Sequence, residues 1–270
     1  MTPSINHVAQ IGFSDASSYD KHRPTYTAHE TDLILQRTQL ATRRGLKLVD
    51  LAAGTGLFTE ALAARPEGYE IIAVEPHDEM RRELERKELE RVSVVKGYAE
   101  KLPIEDGSVD GVFATQAFHW FATLDALKEI RRILKPGGYL GLIWHVDDWN
   151  AYKSDPVTTP WEELIKSHIW SHDDNVPRFR HGIWRNVFDE KEQTYFETPI
   201  NEEHEPQTQW STPKAIWERL KTYSMFSTAE EGVLREFKEK LDRTLEGVQK
   251  NEAGEVAVHG RTQYFWTKAL

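Results

Sequence analysis

Residues 47–56 read Lys-Leu-Val-Asp-Leu-Ala-Ala-Gly-Thr-Gly and decide the fold class. A short apolar run stops at a glycine-containing bend, and residues 57–65 continue with helical period. Glycines at such a bend let the backbone approach a ligand, and the first turn of the following helix offers unpaired N–H groups. The stretch therefore predicts a strand, a ligand-binding loop and a helix in direct succession.

The same alternation of apolar strand and charged helix continues to residue 146. Strands are predicted at 47–52, 70–75, 92–96, 109–115 and 139–146, and helices at 57–65, 78–90 and 124–135. The last helix stops at Lys135-Pro136-Gly137-Gly138, where proline and glycine oppose its continuation. This alternation is typical of βαβ units, so we predict an α/β fold with a doubly wound, mostly parallel, seven-stranded Rossmann-like sheet.

After residue 150 the pattern changes to helices with clear start signals. Helix starts are predicted by a capping box at Thr159-Pro160-Trp161-Glu162, by Thr212-Pro213 and by Ser227-Thr228-Ala229-Glu230. The stretches 193–200 and 261–267 are predicted to be the last two strands, forming an antiparallel edge hairpin. Four regions are expected: an N-terminal segment (1–45), a Rossmann-like core (46–150), a mainly helical insertion (151–230) and a C-terminal helix and strand completing the core (231–270). The family resemblance described below implies that they serve as lid, cofactor-binding core, substrate cap and completion of the core, respectively.

Composition and charge argue against several classes of protein. The 270 residues carry 34 Lys and Arg against 44 Asp and Glu, a net charge of −10. The chain therefore lacks the excess of positive charge that binds a phosphate backbone or an anionic membrane. We therefore expect neither nucleic acid nor membrane as partner, and the oligomeric state stays open. Met1 to Ser18 does not read as a signal segment, and no stretch approaches the ~18 apolar residues of a membrane helix. With no cysteine, a cytoplasmic location is expected.

Two carboxylates flank the predicted loop. Asp50 lies in the first strand, and Glu75 ends the second, where a carboxylate can accept both hydroxyls of an adenosine ribose. The sequence motif of dinucleotide-binding proteins has a glycine at the position of Thr59, and Asp50 would bring negative charge towards a pyrophosphate. Both observations disfavour dinucleotide binding. A ligand with an ammonium and a sulfonium group fits better, because unlike charges in a partly dry cleft attract. A nicotinamide-dependent oxidoreductase is accordingly the least favoured interpretation.

With these residues in place, the sequence resembles the class I S-adenosylmethionine-dependent methyltransferases, especially the branch of trans-aconitate-type and type 11 methyltransferases. The matching elements follow the family's order: Tyr19-Asp20 with Arg23-Pro24, Asp50-x-x-x-Gly54-Thr55-Gly56, Ala73-Val74-Glu75-Pro76 with Met80, Gly97-Tyr98-Ala99-Glu100-x-Leu102-Pro103, Gln116-Ala117-Phe118-His119-Trp120-Phe121 and Leu134-Lys135-Pro136-Gly137-Gly138. The resemblance implies S-adenosylmethionine as cofactor, S-adenosylhomocysteine as product, and methyl transfer to a carboxylate, hydroxyl, amine or thiol of a small, partly apolar molecule. The alternative is a protein that binds S-adenosylmethionine without methyl transfer, as a regulatory partner or a rearrangement catalyst.

The resemblance also implies which residues bind the cofactor. The list runs from the methionine part of the cofactor, through its ribose, adenine and sulfonium, to the lid segment. The residues are Asp50, Ala52, Gly54, Thr55, Gly56, Glu75, Pro76, Met80, Ala99, Glu100, Thr115, Gln116, Ala117, Tyr19 and Arg23. Ala52 stands where many relatives have glycine, and we expect its φ to lie below zero, because side chains are poorly tolerated at positive φ. Tyr98 stands where relatives often place an acidic adenine contact, so the group that binds the adenine amine stays open.

The candidate substrate residues are aromatic or polar, and they comprise Tyr19, His22, Tyr26, His119, Trp120 and Trp144. His119 is either a general base, since a neutral imidazole is available near pH 7, or a structural histidine. The segment ahead of the first strand is either a lid or a helix packed on the sheet. Further substrate contacts are expected within 147–226.

Two other groups of residues in this later region have alternative interpretations. Five tryptophans either wall an apolar substrate cavity or fill a second core: Trp161, Trp170, Trp184, Trp210 and Trp217. His168, His172 and His181 lie near Asp173 and Asp174, but only the first two histidines share a helix-face spacing, so no metal site is predicted.

Overall fold

The computed structural model describes residues 7, 10, 15–227 and 229–270. Its strands are β1 (Lys47–Leu51), β2 (Glu70–Val74), β3 (Val92–Val95), β4 (Val109–Thr115), β5 (Leu134–Asp147), β6 (Asn201–Ser211) and β7 (Val256–Lys268). They form one seven-stranded sheet of order β3-β2-β1-β4-β5-β7-β6. β1 to β5 run parallel, whereas β7 is antiparallel to β5 and to β6. The predicted mostly parallel sheet with an antiparallel edge is confirmed.

The helices are α1 (Ala16–His22), α2 (Ala28–Arg37), α3 (Leu57–Ala63), α4 (Asp78–Arg86), α5 (Leu124–Ile133), α6 (Pro160–Ser171), α7 (Pro213–Lys221), α8 (Ser224–Ser227) and α9 (Glu231–Glu246). Every strand and helix predicted between residues 47 and 146 is present. In the described part of the chain, no helix combines the length and apolar character needed to cross a membrane.

Both faces of the sheet are covered by helices. β4 is buried from Val109 to Ala114, as expected of a parallel strand with helices on either side. On one face α5 buries Ile130 against the sheet, and on the other α2 and α3 bury Leu35 and Phe58. In the N-terminal segment, α2 therefore packs on the sheet. Of the expected lid segment, residues 1–6, 8–9 and 11–14 lie outside the described residues, and the division into four regions stays a prediction.

A second helical layer lies beside the sheet. Side chains of α6, α7 and α9 pack together, among them Trp161, Leu220 and Leu241, and Val256 joins them to β7. Trp161 thus fills a second core. Trp184 is buried in the main core instead, and Trp210 lies exposed on β6.

The position of β6 corrects the prediction of a strand at 193–200. In that stretch Phe196 makes an isolated bridge to Ala269, and the strand itself covers Asn201–Ser211. No residue of β6 is buried, and Pro206 lies within it. Because β6 lies at the edge of the sheet, it lacks the apolar alternation from which strands are predicted.

The three predicted helix starts have different outcomes. α7 begins as predicted, with Thr212 Oγ1 accepting from the Ala215 backbone N–H at 3.2 Å. α6 begins at Pro160, but the capping box is wrong: Thr159 Oγ1 donates to the Glu162 carboxylate at 2.6 Å and makes no hydrogen bond to the helix backbone. α9 begins only at Glu231, and Thr228 lies outside the described residues.

Candidate active site

A cleft opens at the carboxyl ends of the parallel strands, where the strand order reverses between β1 and β4. This cleft, called here the first chamber, encloses about 890 Å³ including its open mouth. Its lining residues come mainly from strand ends and the loops that follow them: Tyr19, Leu51, Ala52, Gly54, Glu75, Pro76, His77, Met80, Gly97, Tyr98, Ala99, Glu100, Thr115, Gln116, Ala117, Trp120 and Phe121. Open α/β sheets bind ligands at such a switch point.

The loop after β1 has left-handed backbone angles at three residues. φ is +57° at Ala52, +58° at Gly54 and +87° at Gly56, so the expectation of a negative φ for Ala52 is wrong. A left-handed conformation costs an L-residue about 1–2 kcal/mol, which the surrounding fold must supply. At Gly54 an added Cβ would meet no protein atom within 4 Å, so the missing side chain leaves room for a ligand.

Gly56 serves packing rather than ligand access. A Cβ there would lie 2.2 Å from Cδ1 of Leu84, a buried residue of α4. This glycine allows the start of α3 to approach α4 closely. Gly56 does not line the first chamber, although the resemblance implied that it surrounds the ligand.

Glu75 holds two loops together. Its Oε2 accepts from the backbone N–H of Gly54 and its Oε1 from that of His77, both at 2.7 Å. Burial raises the pKa of Glu75 to about 7. Each carboxylate oxygen can accept more than one hydrogen bond, so Glu75 keeps acceptor capacity towards the first chamber. The sequence indicates Glu75 as a ligand contact, but the bracing role depends on loops that only the fold brings together.

Asp50 lies behind the loop and does not line the first chamber. Its Oδ2 accepts from Thr59 Oγ1 at 2.6 Å, and burial raises the pKa of Asp50 to about 7. Asp50 Oδ1 and Thr55 Oγ1 are buried and have no hydrogen-bond partner among the described residues. Buried polar atoms without a partner are rare in native proteins, and a ligand or an ordered water is a usual reason for one.

A second chamber adjoins the first and shares Tyr19, Gln116 and Trp120 with it. It encloses about 610 Å³ including its mouth. Its other lining residues come from distant parts of the chain: Arg23, His119, Trp144, His145, Val146, Asn150, Arg178, Phe179, Arg180, Tyr223 and Met225. The sequence placed Arg23 with the cofactor residues, whereas the structure places it here.

His119 is a hydrogen-bonded neutral histidine. The indole N–H of Trp144 donates to its Nδ1 at 3.3 Å. Burial lowers the pKa of His119 to about 3, and the charges of Arg178 and Arg180 contribute in the same direction. From this contact we assign the ring proton to Nε2, so no free lone pair is left to take a proton. The structure therefore favours a structural, hydrogen-bond-donating His119 over the general base.

Two other expected substrate residues lie outside both chambers. His22 Nδ1 lies 2.9 Å from the carbonyl oxygen of Ser18 in its own helix. Tyr26 stacks on His145, with ring centroids 4.6 Å apart, and burial raises the pKa of its hydroxyl far above the usual value. The five tryptophans of the later region line neither chamber: Trp161, Trp170, Trp184, Trp210 and Trp217.

The aspartates near His181 bind side chains of their own loop. Asp173 accepts from Arg180 at 2.7 Å and lies 2.8 Å from His181 Nε2. Asp174 accepts from Arg178 at 2.8 Å. Among the residues that the structure describes, no group of three or more His, Cys, Asp or Glu side chains is arranged to hold a metal ion.

Sequence reasoning missed a buried pair behind the second chamber. Glu30 Oε1 lies 2.8 Å from His145 Nε2, and Thr262 Oγ1 donates to the same oxygen at 2.7 Å. Burial alone would raise the pKa of Glu30, but hydrogen bonds from His145, Thr27 and Thr262 outweigh it and hold the pKa well below its usual range. Glu30 and His145 lie far apart in the chain, so no local pattern could have indicated the contact.

The sequence is similar to proteins that are named as methyltransferases. The family model described as "Methyltransferase domain" matches residues 49–142. A methyltransferase-like protein of Schizosaccharomyces pombe, named as uncharacterized, is 37% identical over 176 residues, which are 65% of this chain and 64% of that protein. A methyltransferase of Mycobacterium tuberculosis, also named as uncharacterized, is 39% identical over 148 residues, 55% of this chain and 57% of that protein. The chain thus spans less than two thirds of the length of these curated relatives.

Solved structures share the fold. A protein of Anabaena variabilis, described as a methyltransferase from an antibiotic biosynthesis pathway, has a TM-score of 0.60 at 22% identity and covers 89% of this chain and 97% of its own. Phosphoethanolamine N-methyltransferase 2 of Haemonchus contortus, in complex with phosphomonomethylethanolamine and S-adenosylhomocysteine, has a TM-score of 0.54 at 16% identity and covers 99% of this chain and 60% of its own. At these identities the likeness is one of fold.

Proposed function

We propose that the chain is a class I S-adenosylmethionine-dependent methyltransferase, to which its sequence and its fold are similar, and that it transfers a methyl group from S-adenosylmethionine to a small, partly apolar molecule. The observation that carries the proposal is the buried Glu75 carboxylate in the wall of the first chamber, beside the open face of Gly54. A second chamber shares a wall with this one, which suits a reaction between two ligands.

The first chamber fits the cofactor in shape and in charge. Glu75 would accept hydrogen bonds from the ribose hydroxyls, and Met80, Ala99 and Glu100 would border the adenine. Behind the loop, the Asp50 carboxylate would favour the cationic methionine end by its charge, without lining the chamber. Gly54 leaves the space that a side chain would fill.

The chain's contribution to the reaction is chiefly to position the ligands. When bound, S-adenosylmethionine supplies a methyl group on a positively charged sulfur, which departs as a neutral thioether when a nucleophile takes the methyl carbon. Tyr19, Gln116 and Trp120 line both chambers and would hold the two ligands against each other. Such positioning can contribute about 7–11 kcal/mol to lowering the barrier. A carboxylate acceptor needs no base, which agrees with the occupied lone pair of His119.

Calorimetric titration with S-adenosylmethionine and S-adenosylhomocysteine tests the proposal. Glu75→Gln should weaken binding by about 1.5–3 kcal/mol, the size of charge-assisted hydrogen bonds. Glu79→Gln is the matched control, because Glu79 lies on the exposed side of α4 and pairs with Arg82. Equal affinities for the two variants and the native chain would remove Glu75 from the site.

Methyl transfer itself is tested with cofactor carrying a radiolabelled methyl group, incubated with the chain and a metabolite extract. Mass spectrometry should find a small molecule that gains one methyl group. A native chain that binds no cofactor would refute the proposal. Binding without transfer across a broad panel of acceptors would instead favour the regulatory or rearrangement alternative.

A further inference from the structure

The second chamber is lined by cations. Arg23, Arg178 and Arg180 contribute to its wall, and in the part of the chain that the structure describes no Asp or Glu does. Arg178 and Arg180 are buried and Arg23 is half-buried. Burying guanidinium groups costs free energy unless their charges and donors are satisfied, so the partners of each decide what the chamber can bind.

Two aspartates satisfy part of this cluster from behind. Asp174 accepts from Arg178 at 2.8 Å, and Asp173 accepts from Arg180 at 2.7 Å. Neither aspartate lines the second chamber. These two contacts explain the neighbouring residues Asp173 and Asp174, which lie close to histidines in the sequence. Their carboxylates hold the two guanidinium groups at the chamber wall.

Two guanidinium donors of this cluster have no partner in the described parts of the chain. Arg23 donates to the backbone oxygen of Thr222 at 3.1 Å and lies 4.3 Å from the ring centroid of Tyr223. The Nε atoms of Arg23 and Arg180 are buried without a hydrogen-bond partner in the described parts of the chain. Burial and the charge of Arg178 lower the pKa of Arg180, and the same cations lower the pKa of His119 on the neighbouring wall.

The remaining wall is aromatic. Trp120, Trp144 and Phe179 line the chamber, and the rings of Trp144 and Phe179 lie with centroids 5.0 Å apart. Flat rings between guanidinium groups suit a flat ligand, because ring faces stack on one another while the cations bind its charged end.

We propose that the second chamber binds a planar organic anion, with its carboxylate or phosphate held by Arg23 and Arg180 and its carbon skeleton against Trp120 and Trp144. That this anion is the methyl acceptor rests on the proposed function, whereas its binding does not require methyl transfer. The two chambers then take ligand groups of opposite charge, an ammonium in the first and an anion in the second.

Binding of simple probes tests the inference on the intact chain saturated with S-adenosylhomocysteine. Benzoate and phenyl phosphate are the anions, and benzyl alcohol is the neutral control. Tryptophan fluorescence should report binding of at least one anion, weakening as salt is added, and little binding of the alcohol. The preferred anion distinguishes a carboxylate from a phosphate ligand.

Arginine variants locate the site. Arg180→Gln should weaken anion binding at least tenfold, equivalent to about 1.4 kcal/mol. Arg185→Gln removes the same charge from the same region but should have no effect, because Arg185 pairs with Glu202 at 2.7 Å and lines neither chamber. If Arg180→Gln does not fold, Arg23→Gln, at the residue that follows α1, carries the same expectation and decides the question.

Two outcomes would overturn the inference: benzyl alcohol binding as tightly as benzoate, or unchanged anion affinity in the folded Arg180→Gln and Arg23→Gln chains. Retained S-adenosylhomocysteine binding without any anion binding would also overturn it, while leaving the proposed function intact. Failure of the native chain to bind S-adenosylhomocysteine would count against the proposed function instead, and anion binding measured without that ligand would then decide the inference.

Discussion

The two chambers share a wall but are built in different ways. The first is formed largely by backbone: a loop with left-handed residues and the ends of neighbouring parallel strands. The second is formed by side chains from α1, β5, the loop before Gly182 and the residues after α7. A site made at consecutive strand ends follows from local sequence, whereas a site assembled from distant segments depends on tertiary packing.

The chambers also differ in charge. Burial raises the pKa of Asp50 and of Glu75 to about 7 at the first, and burial lowers the pKa of His119 to about 3 at the second. Burial drives each group towards its neutral form. A ligand of opposite charge reverses that effect, which agrees with the proposals of a cationic ligand group in the first chamber and an anion in the second.

The largest expected effect concerns the packing of α3 on α4, directly after the loop that borders the first chamber. Gly56→Ala should reduce the free energy of unfolding by about 2–4 kcal/mol, because a methyl group would meet Leu84 and take a positive φ. Denaturant titration measures it. Gly107→Ala is the control, since Gly107 also has positive φ but no atom within 4 Å of the added Cβ, and about 1–2 kcal/mol is expected there. Equal losses would show that packing on Leu84 is unimportant.

The next effect concerns pH at the first chamber. An ammonium-bearing ligand favours ionised Asp50 and Glu75, whose pKa values are raised to about 7. Affinity for S-adenosylhomocysteine should therefore rise between pH 5 and 7, by up to about tenfold per pH unit for each carboxyl that must ionise. Calorimetry in buffers of different ionisation enthalpy counts the protons released. Glu75→Gln should flatten part of this dependence.

Asp50 and Glu75 also make the stability of the ligand-free chain depend on pH, but in the opposite direction to the ligand affinity. Their pKa values lie above the ordinary 3.8 and 4.5, so the stability they contribute is complete below those values and is lost as the pH rises through about 7. Thermal unfolding with and without S-adenosylhomocysteine should show a ligand-induced shift that grows with pH. A shift independent of pH would contradict the assignment of charge to this chamber.

The smallest expected effect on stability concerns backbone strain at Ala52. Ala52→Gly removes the left-handed cost at φ +57° but adds flexibility to the unfolded chain, so a net gain of up to about 1 kcal/mol is expected. Ala61→Gly in the interior of α3 is the control and should lose about 1 kcal/mol. Equal losses in both variants would mean that Ala52 is not strained.

The features that the sequence predicts are those formed by consecutive residues, as at the first chamber. The features that it does not predict join distant segments, as at the second chamber. The bounds of β4 agree with the predicted 109–115, because its apolar run is set by burial on both faces. The placement of Glu75 in the first chamber also follows from strand order. The Glu75 brace, the Glu30–His145 pair and the Asp173–Arg180 contact do not, because each joins groups that only the folded chain brings together.

The edge strand β6 also bears on how copies of the chain meet. An open strand edge can pair with a strand of another molecule and so begin aggregation. Here Glu202, Glu203 and Glu205 place charged side chains along that edge, and Pro206 has no N–H to donate to a strand of another molecule. The features that hid β6 from prediction therefore discourage growth of the sheet beyond seven strands.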